Sequence, residues 1–312
     1  METLFPIDDP IPKAPQGVRV DWSFSKRQLL FQCPRKYYYQ YYGASARTAK
    51  SDPNKSLLRE AKSFKNLNLR AGEIVDIVIQ TFLTKEKARD WSEDRLISWA
   101  YSMLETDRQF NRGKITQKEG AFPLPRLMEF VWQFPDAENR FEKAKEKIVT
   151  AIRNFYRSPA YEKFRTVNGT LETQKKVTVW IDGSRAVGKI DVAMEETDCL
   201  HILDWKLGKQ GSADEHLQVG FYGLWALRTS AATRAVRLYM AYLGDGIVQE
   251  HAFPGAVNEL AVKGRIVQDL NILRDLHPYG AEGRSRAFTP CLQPRICELC
   301  QFRKVCLPTE VL

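Results

Sequence analysis

The sequence contains no run of about 18 uninterrupted apolar residues, so it offers no segment that would cross a bilayer as a helix. Its opening, METLFPIDDPIPKAPQG, lacks the basic and then apolar order of a secretory signal. The expectation is a soluble, cytoplasmic protein without membrane attachment. There is no internal repeat, which excludes a solenoid, and no GxxxxGK[ST] phosphate loop, so any ATP-driven step would have to come from a partner. Cysteines number only six in 312 residues, and in a reducing compartment they serve as metal ligands or small apolar residues rather than disulfides. Acidic residues are nearly missing from one stretch. Between Lys26 and Arg70 eleven basic residues face only Asp52 and Glu60.

That local excess of nine equals the net charge of the whole chain, +9, and the isoelectric point is near 9.2. Such a charge favours a polyanionic partner, because phosphate neutralisation by Lys and Arg releases condensed counterions. With 44% hydrophobic residues the chain can build one large domain or two modest ones.

Along the chain, residues 1–20 read as an extended, Pro-rich arm. Residues 21–56 form an N-terminal helical segment: Ser23 or Ser25 can cap a helix through KRQLLFQCPRKYYYQYY, which Pro34 kinks or breaks, before a loop at 44–56. Residues 57–165 are a helical region, in which Phe141, Ala144, Ile148, Ile152 and Phe155 make one apolar stripe. Residues 166–280 read as an α/β core. Its runs VTVWID, GKIDVAM and CLHILDWK make a strand meander, a helix follows through EHLQVGFYGLWALRT, then the strand pair VRLYMAYL and GIVQEHAF, then a helix from about Val257 to Leu276. Residues 281–312 form a cysteine-rich tail.

Asp204 and Lys206 stand two apart on a strand, so they project from one face while Trp205 projects from the other. Asp191 ends the preceding run GKID, and if the two runs pair, its carboxylate can share a divalent metal with Asp204. Oxygen ligands suit Mg²⁺ or Mn²⁺, and such a metal with a nearby ammonium can promote phosphodiester hydrolysis. Taken alone, a DxK tripeptide more often marks an ordinary exposed strand. Gln218 and Tyr222, at i and i+4 on the next helix, share a face and could contact a nucleic-acid strand beside the metal.

GKID, DWKLG and QVGFY, in that order, resemble the Gly-x-x-Asp, Asp/Glu-x-Lys and Gln-x-x-x-Tyr motifs of the RecB-like branch of the PD-(D/E)XK nucleases. The resemblance implies a restriction-endonuclease-like α/β fold, a central mixed sheet flanked by helices, with a helical insertion. It implies metal binding by Asp191, Asp204 and the Trp205 backbone carbonyl, water activation by Lys206, and substrate positioning by Gln218 and Tyr222. Family members also carry a His about four residues after a Gly on an upstream helix. Here that stretch is AGEIVDIVIQTF, with Asp76 after Gly72: a competent hard ligand, or a solvated residue beside Glu73 and Gln80. Glu172 is a further family-like acidic position.

Cys297, Cys300 and Cys306 follow C-x2-C-x5-C, which lets three thiolates converge. Some RecB-like nucleases, among them the AddB subunit, CRISPR-associated members and eukaryotic exonuclease V, hold a [4Fe-4S] cluster with one distant N-terminal Cys. SFSKRQLLFQCPRKYYYQYYG resembles that N-terminal motif and nominates Cys33. Cys291 is its rival, zinc is the alternative metal, and Cys199 reads as a buried apolar residue. Around Cys33, Arg35 and Lys36 interleave with Tyr37, Tyr38, Tyr39, Tyr41 and Tyr42, able to grip phosphates and stack bases, or to pack inward in part. Arg303 and Lys304 could extend that surface. The implied activity is divalent-metal-dependent DNA cleavage, exonucleolytic on single-stranded or frayed ends, with a helicase or a CRISPR or other defence complex as a possible partner. The alternative is a non-cleaving DNA-binding or assembly module of the same fold.

Overall fold

The computed structural model describes residues 19–45, 54–118, 123–166, 170–208, 215–229, 235–253 and 259–306. Most of the expected N-terminal arm, the middle of the 44–56 loop and the expected start of the last long helix therefore lie outside the described residues. In chain order the helices are α1 (Phe24–Gln32), α2 (Pro34–Tyr38), α3 (Lys55–Ala61), α4 (Leu67–Thr84), α5 (Glu86–Arg89), α6 (Glu93–Asn111), α7 (Met128–Val131), α8 (Ala137–Arg157), α9 (Glu162–Arg165), α10 (Glu215–Ala226), α11 (Glu259–Ala281), α12 (Pro294–Glu298) and α13 (Arg303–Cys306). The strands are a short pair, β1 (Phe64–Lys65) with β2 (Arg126–Leu127), and a five-stranded sheet. That sheet comprises β3 (Thr170–Ile181), β4 (Ser184–Glu195), β5 (Cys199–Lys206), β6 (Ala235–Tyr242) and β7 (Ile247–Phe253), in the order β3-β4-β5-β6-β7. The β5–β6 pairing is parallel, whereas β4–β5 and β6–β7 are antiparallel. This is the α/β fold with a mixed sheet flanked by helices that the sequence led us to expect. None of the described helices is long and apolar enough to cross a membrane.

Contacts divide the chain into two compact units. The larger comprises residues 65–179 and 188–262. Its core forms where the apolar stripes of α4, α6 and α8 meet one face of the sheet. From α8 come Phe141, Ala144, Ile148, Ile152 and Phe155, all buried as their spacing requires, and from the sheet Val192, Met194, Leu203, Trp205, Tyr239 and Ala241. Helix α4 starts where Asn66 accepts the Leu69 N–H at 2.7 Å, and it buries Ala71, Ile74, Val75, Val78 and Ile79 along one side. Helix α10 packs on the opposite face, against β5 and β6.

The second unit comprises residues 1–64, 180–187 and 263–312. Ser23 caps α1, accepting the Lys26 N–H at 3.2 Å, and Pro34 ends it: Cys33 closes α1 and opens α2, its sulfur accepting the Lys36 N–H at 3.4 Å. A π-helical turn, Tyr39–Gly43, continues α2. The tip of the β3–β4 hairpin, Asp182–Gly183, lies at φ 48° and 68°, the two positive values that a two-residue turn of this kind needs. Arg274 holds that tip through Asp182 at 2.5 Å.

Candidate active site and cysteine cavity

In the larger unit, the alternation of β5 sends Asp204 and Lys206 toward α10 and Trp205 toward α4. Lys206 Nζ lies 2.5 Å from Asp204 Oδ2 and donates to Gln218 Oε1 at 2.7 Å. Gln218 Nε2 donates to Asp204 Oδ1 and to the Tyr222 hydroxyl, both at 2.9 Å. Tyr222 in turn donates to the Lys189 carbonyl at 2.8 Å. One helical turn of α10 thus ties the carboxylate, the ammonium and β4 into a single network, as the i and i+4 spacing of Gln218 and Tyr222 permits.

The last paired residues of β4 and β5 are Val192 and Leu203. Beyond them Asp191 Oδ2 accepts the Trp205 N–H at 3.0 Å. A carboxylate therefore stands where the ladder opens. On the other side of β5, Trp205 Nε1 donates to Asp76 Oδ1. Asp76 is half-buried, as Glu73 and Gln80 are, but differs from Glu73 in its partner: Glu73 pairs with Lys65 at 2.5 Å and Arg70 at 3.2 Å. Glu172 pairs with Lys175 at 2.8 Å.

The three carboxylates act on one another. Burial, reinforced by the charges of Asp204 and Asp76, pushes the Asp191 carboxyl well above the usual range. Asp76 is also raised by burial, partly offset by the Trp205 hydrogen bond and by Lys189. Asp204 Oδ2 is buried and accepts no hydrogen bond of good geometry, its close neighbour being the Lys206 ammonium. As placed, no three His, Cys, Asp or Glu side chains among the described residues converge tightly enough to enclose one ion. The donor set nonetheless fits a hard divalent cation: two buried carboxylates and the half-buried Asp76 repel one another, and one presents an oxygen to a cation already.

Two neighbours of this network carried no sequence pattern. Gln174 on β3 donates to Asp191 Oδ1 at 3.2 Å, and the exposed Lys189 lies close enough to Asp76 to favour its ionised form. Gly188, which opens GKID, has a steric reason to be glycine. A Cβ there would sit 2.7 Å from Phe221 Cε1 and 2.9 Å from Tyr222 Cε1.

In the second unit, Cys33, Cys291, Cys297, Cys300 and Cys306 line one cavity with Lys36 and Arg303, and none of the five is in a disulfide. Cys199 is not in that lining; it is half-buried at the start of β5. Burial pushes the thiols of Cys33 and Cys306 up, and that of Cys300 up to about 11. Soft sulfur donors beside two cations suit a thiophilic metal or cluster, which would deprotonate them on binding. Two segments distant in sequence meet here: Arg35 Nε donates to the Phe288 carbonyl at 2.7 Å and the Tyr38 hydroxyl to Gly283 O at 3.1 Å. Tyr37, Tyr38, Tyr39 and Tyr42 are buried and Tyr41 is half-buried, with rings packed on one another and on Phe288 and Phe302. The tyrosine run is therefore mostly core, more so than helical spacing alone suggests. Lys36 Nζ reaches Gln32 at 3.4 Å.

A mixed sheet that opens onto carboxylates and a lysine, with a Gln–Tyr helix laid across it, defines a class of proteins built for phosphodiester chemistry. The sequence profile of the PD-(D/E)XK nuclease superfamily matches residues 21–307, and the chain belongs to that superfamily. Among solved structures it is similar to SSO0001, at 12% identity, covering 68% of this chain and 96% of that one with a TM-score of 0.31. It is also similar to a protein of Eubacterium rectale whose name provisionally makes it an exonuclease, at 11% identity, covering 79% and 91% with a TM-score of 0.32. No curated protein matches the chain.

Proposed function

We propose that the protein is a divalent-metal-dependent DNA nuclease of the RecB-like branch, acting as an exonuclease on single-stranded or frayed ends. The observation that carries this is the network joining Lys206, Asp204, Gln218 and Tyr222 beside Asp191 and Asp76. The three Asp carboxylates, with the Trp205 carbonyl, would hold Mg²⁺ or Mn²⁺. When bound, that metal supplies charge stabilisation at the nonbridging phosphate oxygens. Lys206, fixed by Asp204 and Gln218, orients the attacking water against the phosphorus as the P–O bond to the leaving group breaks. Gln218 and Tyr222 would place the substrate strand. Cys33, Cys297, Cys300 and Cys306 would hold a [4Fe-4S] cluster, or zinc, in a structural role, a reading supported by their lining one cavity.

The test is incubation of 5′- and 3′-labelled single- and double-stranded DNA with Mg²⁺ or Mn²⁺, comparing the wild type with Asp204→Ala and Lys206→Ala. Cleavage by wild type and its loss in both variants is expected. DNA left equally intact by all three would instead leave a non-cleaving binding module of the same fold.

A further inference from the structure

Gln174 sits in the middle of β3 at φ 56°, a left-handed conformation that a residue with a side chain adopts only where its surroundings impose it. No turn lies there. Along β3 the even-numbered residues from Thr170 to Trp180 are exposed with one exception, and that exception is Gln174, which is half-buried. Strict alternation would aim its side chain at solvent. The left-handed backbone instead goes with a side chain that reaches across to β4 and donates to Asp191 Oδ1 at 3.2 Å.

Asp191 is thereby held from two sides. Oδ1 takes the Gln174 amide, and Oδ2 takes the Trp205 N–H at 3.0 Å, which fixes the plane of the carboxylate. Each oxygen keeps a lone pair for another partner. The residue type matters as much as the position. Beside Asp191, Asp204 and Asp76, a lysine would bring a competing cation and a glutamate a fourth repelling charge, whereas a primary amide donates without altering the charge of the site.

We propose that Gln174 is a positioning residue that orients Asp191 for metal binding, and that the strained backbone at 174 exists to deliver it. This rests on the metal-site reading above. Partners of a metal ligand typically change metal affinity by about 10–100-fold when removed. Glycine at 174 keeps the left-handed backbone without strain and removes the side chain with its amide.

The experiment is Mn²⁺ binding followed by electron paramagnetic resonance and calorimetry, without DNA, on wild type, Gln174→Gly, Gln174→Lys and Asp191→Asn. Gln174→Gly is expected to melt no lower than wild type yet bind Mn²⁺ about 10–100-fold more weakly. The Mn²⁺ concentration for half-maximal cleavage should rise by the same factor, and Gln174→Lys should bind more weakly still. Wild-type affinity in Gln174→Gly, with Asp191→Asn impaired, overturns the role of Gln174 and leaves the metal site standing. If Asp191→Asn binds Mn²⁺ as wild type does, or wild type binds none, the metal-site reading falls and this proposal with it.

Discussion

Replacing Gly188 with alanine adds one methyl group and asks whether the fit of α10 on β4 governs the site. The new carbon would meet Phe221 Cε1 at 2.7 Å and Tyr222 Cε1 at 2.9 Å. Comfortable carbon contacts begin at about 3.5 Å, so the rings must retreat by roughly half an ångström or more. Overpacking of this kind costs about 1–3 kcal/mol, against about 0.4–1 kcal/mol regained from a less flexible unfolded chain. The net loss of about 1–2 kcal/mol corresponds to a melting temperature lower by about 2–4 °C in a chain of this size. Function suffers as well, because the displaced ring carries the hydroxyl bonded to Gln218 at 2.9 Å and to the Lys189 carbonyl at 2.8 Å. A misplacement of about 1 Å near reacting groups costs about 100-fold, so roughly half that shift should cost about tenfold in cleavage rate. Thermal melting and a labelled-DNA time course measure both, and adding Phe221→Leu should recover part of the lost stability. Gly188→Ala with wild-type melting and wild-type cleavage would refute this account of why GKID begins with glycine.

Glu129 accepts the Leu67 N–H through both oxygens, at 3.0 and 3.2 Å, at the buried start of α4. Glu129→Ala orphans that N–H and should lose about 1–3 kcal/mol in denaturant unfolding. Burial raises the Glu129 carboxyl above its ordinary value. The unfolded chain therefore ionises first as pH rises, and stability present below the ordinary Glu pKa is lost as pH climbs through the raised one. Glu129→Gln cannot ionise, so its melting temperature should fall less over that window than the wild type's, and parallel curves would contradict the assignment. For the cysteine cavity, Cys33→Ala should abolish bound iron and the absorbance near about 400 nm expected of such clusters, whereas Cys199→Ala should retain both. Full iron in Cys33→Ala with loss in Cys291→Ala would move the fourth ligand to Cys291.

Local patterns in the sequence carry the parts of this protein that depend on local geometry. The α8 stripe, the break at Pro34 and the opposite faces of Asp204 and Trp205 all follow from periods of 3.6 and 2.0 residues. Asp76 was open to two readings for the converse reason: its partner, Trp205, is 129 residues away, and helical periodicity alone sets Asp76 beside Glu73 and Gln80. Gln174 left no trace, since its role comes from an abnormal φ in an otherwise ordinary strand. The tyrosine run buries more rings than helical spacing suggests because Phe288 and Phe302, far along the chain, pack against Tyr37, Tyr38, Tyr39 and Tyr42, and no local pattern announces such distant partners.

Strand β5 carries two incompatible cargoes on alternate residues: Leu203 and Trp205 enter the apolar core, while Asp204 and Lys206 enter the charged network. Slipping this strand by one residue would drive an aspartate and a lysine into the helical core and set a tryptophan where α10 meets Asp204, so misregistered chains lose both the core and the network. Assembly of the core and assembly of the site are consequently one event, policed by the same eight residues.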